Sequence, residues 1–98
     1  MKVRWTEAAR QDRASVVAYI RIDNSRAAAR MDQLFSDAAE KLADFPRLGR
    51  PGKISGTHEL IPHESYRLVY EVEDETVWVL ALVHTARQWP PVSGDKTP

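Results

Sequence analysis

The stretch Ser65-Tyr-Arg-Leu-Val-Tyr-Glu-Val-Glu-Asp-Glu-Thr-Val-Trp-Val-Leu-Ala-Leu-Val-His-Thr-Ala-Arg-Gln-Trp-Pro90 decides the fold. Residues 66–72 and 77–83 are rich in Val, Leu, Tyr and Trp, and the polar run Glu73-Asp74-Glu75-Thr76 between them suits a hairpin connection. A loop of two or four residues predicts the pairs Val72–Val77, Tyr70–Val79, Leu68–Ala81 and Tyr66–Val83, which form one wholly apolar face. Arg67, Val69, Glu71, Trp78, Leu80, Leu82 and His84 then share the other face, with Arg67 diagonal to His84 and Arg87 just past the strand end. A three-residue loop would shift the register and break that constellation.

Working outward, Phe45-Pro46-Arg47-Leu48-Gly49-Arg50-Pro51-Gly52-Lys53 holds two prolines without amide donors and two glycines suited to positive φ, and reads as a surface loop. Residues 58–62 form a short strand candidate. Upstream, Lys2 to Trp5 can form a strand, and Thr6-Glu7 supplies a helix start: a hydroxyl to cap free N–H groups and an acid at the positive dipole end. The helix expected from Glu7 to Ile22 carries Ala9, Val16, Val17 and Ile20 on one stripe. Asp23-Asn24-Ser25 ends it and caps a second helix, residues 26–44, whose stripe is Ala28, Met31, Phe35, Ala38 and Leu42. So short a connection implies an antiparallel helical hairpin.

The expected fold is therefore α+β: an N-terminal strand, then a helical hairpin packed on one face of an antiparallel sheet, in the order β-α-α-β-β-β. Two helices leave the other sheet face open. Val69, Trp78, Leu80 and Leu82 would be exposed there, and contiguous exposed apolar surface marks a partner site. The alternative is that the long loop and the tail fold back over it through Leu48, Ile54 and Trp89.

The 98 residues fit one domain, expected over 1–91 and followed by a disordered tail at 92–98. The hydrophobic content of 43% and the charged content of 29% are those of a soluble globular protein, and no apolar run approaches the roughly 20 residues of a membrane span. With no secretory signal and no cysteine, the expectation is a cytoplasmic protein without disulfides or thiolate chemistry. A net charge of zero argues against wholesale binding to nucleic acid. His58, His63 and His84 lack metal-ligand spacing, and no phosphate-binding or nucleophile-elbow motif is present, so no metal or cofactor is expected.

Metal-free RNA cleavage needs a base, an acid and cations to stabilise a phosphorane. Arg67, Arg87 and His84 could supply the cations and one proton-transfer group. His58 and Glu59 are further acid or base candidates that the sequence does not place near Arg67. Against this stands a plain ion pair of Arg67 with Glu71 along one strand face.

The opening Val3-Arg4-Trp5-Thr6-Glu7-Ala8-Ala9, the loop Phe45 to Gly52, the strand Tyr66-Arg67-Leu68-Val69-Tyr70 and the ending Val83-His84-Thr85-Ala86-Arg87-Gln88-Trp89-Pro90 together resemble the RelE/ParE superfamily of bacterial type II toxins. The resemblance runs through residues 3–90 in order. It implies a growth-inhibiting toxin encoded beside a cognate antitoxin that neutralises it and, through its own DNA-binding part, represses the shared operon. RelE-like members cut mRNA on the ribosome with lysines, two arginines and a C-terminal tyrosine; ParE-like members poison DNA gyrase without that set. The arginines correspond to Arg67 and Arg87, but the lysine positions fall on His58 and Leu60 and the tyrosine position on Ser93. Leucine carries no proton, and serine lacks tyrosine's acidity and ring. The resemblance therefore favours gyrase as the target, with ribosome-dependent mRNA cleavage through Arg67, His84 and Arg87 as the alternative.

Overall fold

The computed structural model describes residues 1–87, 89 and 90. Strand β1 (Lys2–Trp5) leads into helix α1 (Glu7–Asp23), helix α2 (Ser25–Asp44), a two-residue strand β2 (Arg50–Pro51), and strands β3 (Thr57–His63), β4 (Tyr66–Glu73) and β5 (Thr76–His84). The expected order holds, with β2 added inside the segment read as loop. The tail expected at 92–98, and Ser93 within it, lie outside the described residues.

Local chemistry sets the helix ends. The Thr6 hydroxyl accepts from the Ala9 N–H at 3.1 Å, and the Asn24 side chain accepts from the Ala27 N–H at 3.0 Å. Asn24 is both the C-cap of α1 and the N-cap of α2, so one extended residue turns the chain.

The five strands stand in the order β1-β5-β4-β3-β2. The three inner and outer pairs from β5 to β2 are antiparallel, whereas β1 runs parallel to β5, so the sheet is mixed where an antiparallel one was expected. A parallel neighbour needs a long crossover, and the two helices between β1 and the later strands supply it.

The helices cover one face. Ala9, Val17, Ala28, Phe35, Ala39 and Leu42 pack there against Leu68, Tyr70, Val77, Val79 and Leu82. Phe35 and Tyr66 meet edge to face at 5.5 Å.

The hairpin departs from expectation at one point. Glu73 pairs with Thr76 across a tight turn in which Asp74 takes φ 57°, and Val72–Val77 and Tyr70–Val79 pair as expected. Between Val69/Tyr70 and Ala81/Val79 the register shifts, because Leu80 is an extra residue in β5. Val69 then faces Ala81, Leu68 faces Leu82 and Tyr66 faces His84, instead of Leu68 with Ala81 and Tyr66 with Val83. A bulge of this kind sends the residues beyond it to the opposite face. The Asp12 carboxylate accepts from the Leu82 N–H at 3.1 Å, and the Thr6 hydroxyl donates to the Leu80 carbonyl at 3.3 Å, so α1 and its cap hold the bulge in place.

Candidate functional site

The bulge redistributes the residues expected on the open face. Leu82 turns to the helices and is 4% exposed, and Val69 is fully buried. Only Trp78 and Leu80 of the four keep partial exposure. The contiguous exposed apolar patch expected from Val69, Trp78, Leu80 and Leu82 is therefore absent. Leu48 and Ile54 do not serve as its cover, since both are exposed.

His84 moves for the same reason. It sits opposite Tyr66 on the helix side, with ring centroids 5.5 Å apart, and its Nδ1 accepts from the Ala86 N–H at 3.1 Å. Arg67, one residue from Tyr66, projects from the other side. The expected Arg67–His84–Arg87 cluster is thus divided: Arg67 and Arg87 meet, because the Arg67 guanidinium donates to the Arg87 carbonyl, and His84 lies across the sheet from them.

What Arg67 does meet is Glu59. Glu59 Oε1 lies 3.6 Å from Arg67 Nη1 and 3.4 Å from Arg50 Nη2, and the Glu59 side chain is only 5% exposed. The expected partner, Glu71, plays no part in this set. Three segments build it: β2 sets Arg50 opposite Glu59, and β3 sets Glu59 opposite Val69, two residues from Arg67 on the same face of β4. Nearly all of Arg67 is sheltered, and its Nε has no partner among the described residues. A buried carboxylate needs compensating charge, which the two guanidinium groups supply.

The residues at the lysine positions point away. His58 stacks on Tyr70 at 5.2 Å, and Leu60 faces Leu68 and packs against the core. Tyr70 in turn ties down the loop: its hydroxyl donates to the Pro46 carbonyl at 2.7 Å and accepts from the Gly49 N–H at 2.9 Å. Burial pushes the Tyr70 phenol above its usual value of 10.0, and the bond from Gly49 offsets part of that rise. Only glycine fits at position 49, where a Cβ would lie 2.6 Å from the Glu59 carbonyl oxygen. Arg47 and Lys53 of this loop are exposed, with no ion pair among the described residues.

At the other end of the sheet, Val3, Arg4, Trp5, Thr6, Glu7 and Arg10, with Arg13 and Trp78, line an open groove of about 530 Å³. Arg13 lies over the Trp5 ring at 4.9 Å and pairs with Asp32 at 2.7 Å. Glu7 is held below the usual carboxylate range by its hydrogen bond and ion pair with Arg10. Among the described residues no three His, Cys, Asp or Glu side chains converge on a metal-sized space, and no helix is long and apolar enough to cross a membrane.

Sequence reasoning missed Glu59 as Arg67's partner. The signal that could have found it is the loop: Pro51 and Gly52 leave few ways to return the chain except as an edge strand beside β3.

Comparison with known proteins places this geometry. The family described as the ParE toxin of the type II toxin–antitoxin system parDE matches residues 3–89. A protein of Sinorhizobium fredii (strain NBRC 101917 / NGR234) called "Putative toxin Y4kP" is 36% identical over 92 residues, covering 93% of this chain and 95% of that protein. Among solved structures, the chromosomal ParDE system of P. aeruginosa aligns with a TM-score of 0.76 at 17% identity, over 86% of this chain and 95% of that one. The RelBE2 toxin–antitoxin complex of Mycobacterium tuberculosis aligns at 0.58 and 29% identity, over 87% and 91% of the two chains. The YoeB/ParE toxin of Agrobacterium tumefaciens aligns at 0.62 and 20% identity, over 86% and 98%. At identities below a quarter, the first and third likenesses speak for the fold alone. The family match over nearly the whole chain and the 36% identical relative agree: the chain belongs to the ParE toxins of type II toxin–antitoxin systems, within the RelE/ParE superfamily.

Proposed function

We propose that this toxin arrests growth by poisoning DNA gyrase in the cytoplasm, and that a cognate antitoxin, encoded beside it, holds it inactive. The observation that carries the choice of gyrase is the division of the cluster that RNA cleavage would need. Arg67 is bound to Glu59 and to the Arg87 carbonyl on one sheet face, while His84, His58 and Leu60 lie on the other. General acid and base groups act only within hydrogen-bond reach of the reacting oxygens, about 3 Å, and a sheet stands between these. The antitoxin reading draws on the family match and on the toxin–antitoxin complexes among the structural relatives.

One observation favours the second reading, mRNA cleavage on the ribosome. Glu59 places a carboxylate beside Arg67, which supplies a proton acceptor and a cation on one face. Against it, the same oxygen of that carboxylate, Oε1, faces both Arg50 and Arg67.

The purified toxin, added to gyrase supercoiling and cleavage assays and in parallel to a translating ribosome extract, separates the two. Gyrase-dependent double-strand breaks with intact mRNA are the expected outcome. Codon-positioned mRNA cuts with untouched gyrase would reverse the assignment, and Glu59→Gln and Arg67→Ala should then each abolish cutting while the fold survives. Normal growth with confirmed expression of folded toxin lacking its antitoxin would remove both readings.

A further inference from the structure

The helical layer has an outer surface, away from the sheet, and near the connection of the two helices it carries a patch that the fold does not use. Ser15, Ala18, Tyr19 and Ile22 of α1 fall on one stripe at helical period, on the side of the helix opposite the buried Ala9 and Val17. All four are exposed. Ile22 at 79% and Tyr19 at 74% are the two most exposed large hydrophobic residues among those described. A single exposed apolar side chain is ordinary, but residues three apart are neighbours on a helix, and the small Ser15 and Ala18 beside them leave both standing clear.

Charge sets this patch apart. In α2 the same period turns Arg26 and Arg30 away from the buried Ala28, Phe35 and Leu42, so they stand on the outer surface of the layer with Tyr19 and Ile22. Arg21 adjoins Ile22 in the last turn of α1. None of the three arginines forms an ion pair among the described residues, and Asp23 is the single acid from Tyr19 to Met31. The first turn of α2 holds Arg26 and no acid, although the positive end of a helix dipole favours anions. That choice costs α2 some local stability and leaves a positive field around two apolar side chains.

We infer that this tip of the helical hairpin is the toxin's contact with its target, and that the target offers an acidic protein surface with an apolar socket for Tyr19 and Ile22. The inference rests on the gyrase reading above and specifies which side of the toxin gyrase meets. Tyrosine and arginine are the residues that most often carry binding energy between proteins, the ring seated in a socket and complementary charge guiding the encounter. A second copy of the chain fits worse, because a two-fold contact would set the same arginines against one another. Duplex DNA offers phosphates to the arginines but no socket to Ile22.

The test uses the whole toxin with purified gyrase, reading both binding and DNA cleavage, and measures affinity for the antitoxin in parallel. One variant carries Tyr19→Ala with Ile22→Ala, the other Arg26→Glu with Arg30→Glu. These side chains are exposed, so the unfolding temperature should stay that of the parent. Each variant should bind gyrase at least about tenfold more weakly and need correspondingly more toxin for equal cleavage, with antitoxin affinity unchanged. The deficit of the arginine variant should shrink as salt is raised, and that of the apolar variant should persist. A control with Ile54→Ala and Val72→Ala, exposed apolar residues elsewhere, should act as the parent does. Full gyrase binding and cleavage by the Tyr19/Ile22 variant overturns the docking and leaves the gyrase reading standing. Weakened antitoxin binding with gyrase untouched would assign the patch to the antitoxin and overturn it too. Self-association of the parent that this variant loses, again with gyrase untouched, would hand the patch to a second copy. A parent toxin without effect on gyrase would remove the gyrase reading and this inference with it.

Discussion

The two faces of the sheet are held by different physics. On the helix side Leu68, Tyr70, Val77, Val79 and Leu82 interlock with Phe35, Leu42 and the alanines of both helices, and removal of apolar surface from water stabilises them. On the other side Val69 and Ala81 are also buried, but their neighbours are the charged set Arg50, Glu59 and Arg67. The first face tolerates little change of volume and much change of solvent; the second should show the reverse.

The largest effect should come from the helix face. Phe35→Ala removes a fully buried ring that meets Tyr66 edge to face, and should cost about 3–5 kcal/mol in denaturant unfolding. A loss below about 1 kcal/mol would mean the helices do not hold the sheet as described.

Tyr70→Phe keeps the ring and removes the hydroxyl, leaving the Pro46 carbonyl and Gly49 N–H without their partner. About 1–3 kcal/mol should be lost, with faster amide exchange at Gly49. The same pair of proteins carries a pH signature. Because the folded phenol's value is raised above 10.0, the native chain holds that proton more tightly than the unfolded chain does. The corresponding stability is complete below pH 10 and is lost as pH climbs through the folded value. The parent should therefore weaken more steeply than Tyr70→Phe above pH 10, and parallel curves would remove Tyr70 as the cause.

Smaller effects belong to the charged face. Glu59→Gln leaves Arg67 sheltered without its anion and should destabilise by about 1–3 kcal/mol, less in high salt than the helix-face changes are altered. Arg50→Ala, at the exposed end of the same set, should stay under about 1 kcal/mol. If Arg50→Ala cost as much as Glu59→Gln, the exposed Arg50 pair would carry the set and the sheltered Arg67 pair would add nothing to it.

Most of the helix face was legible in the sequence because its signal is periodic and local. Ala28, Phe35, Ala38 and Leu42 recur at helical spacing and are buried, and Thr6 and Asn24 announce the caps that the structure uses. The hairpin near its turn was equally legible. Beyond Leu80 it was not, since a bulge leaves no mark in a run of Val, Leu and Ala, and one unseen residue put Leu82 and His84 on the wrong side. The site suffered most. Arg50, Glu59 and Arg67 come from three strands, and only the pairing of β2 with β3 and β3 with β4 brings them together. That pairing also replaced Glu71 with Glu59 as the partner of Arg67.

The bulge at Leu80 has a bearing on how such a chain can change. Strands ordinarily punish single-residue insertions and deletions, because every side chain downstream exchanges inside for outside. Here the strand already carries one residue more than its partner, with Leu80 and Ala81 together opposite Val69. Losing either one restores simple alternation, with Val79 and Leu82 still facing the helices. Position 80 is thus a neutral gear in an otherwise rigid transmission: a chain shortened there keeps the pairs Leu68–Leu82 and Tyr66–His84, and with them its core.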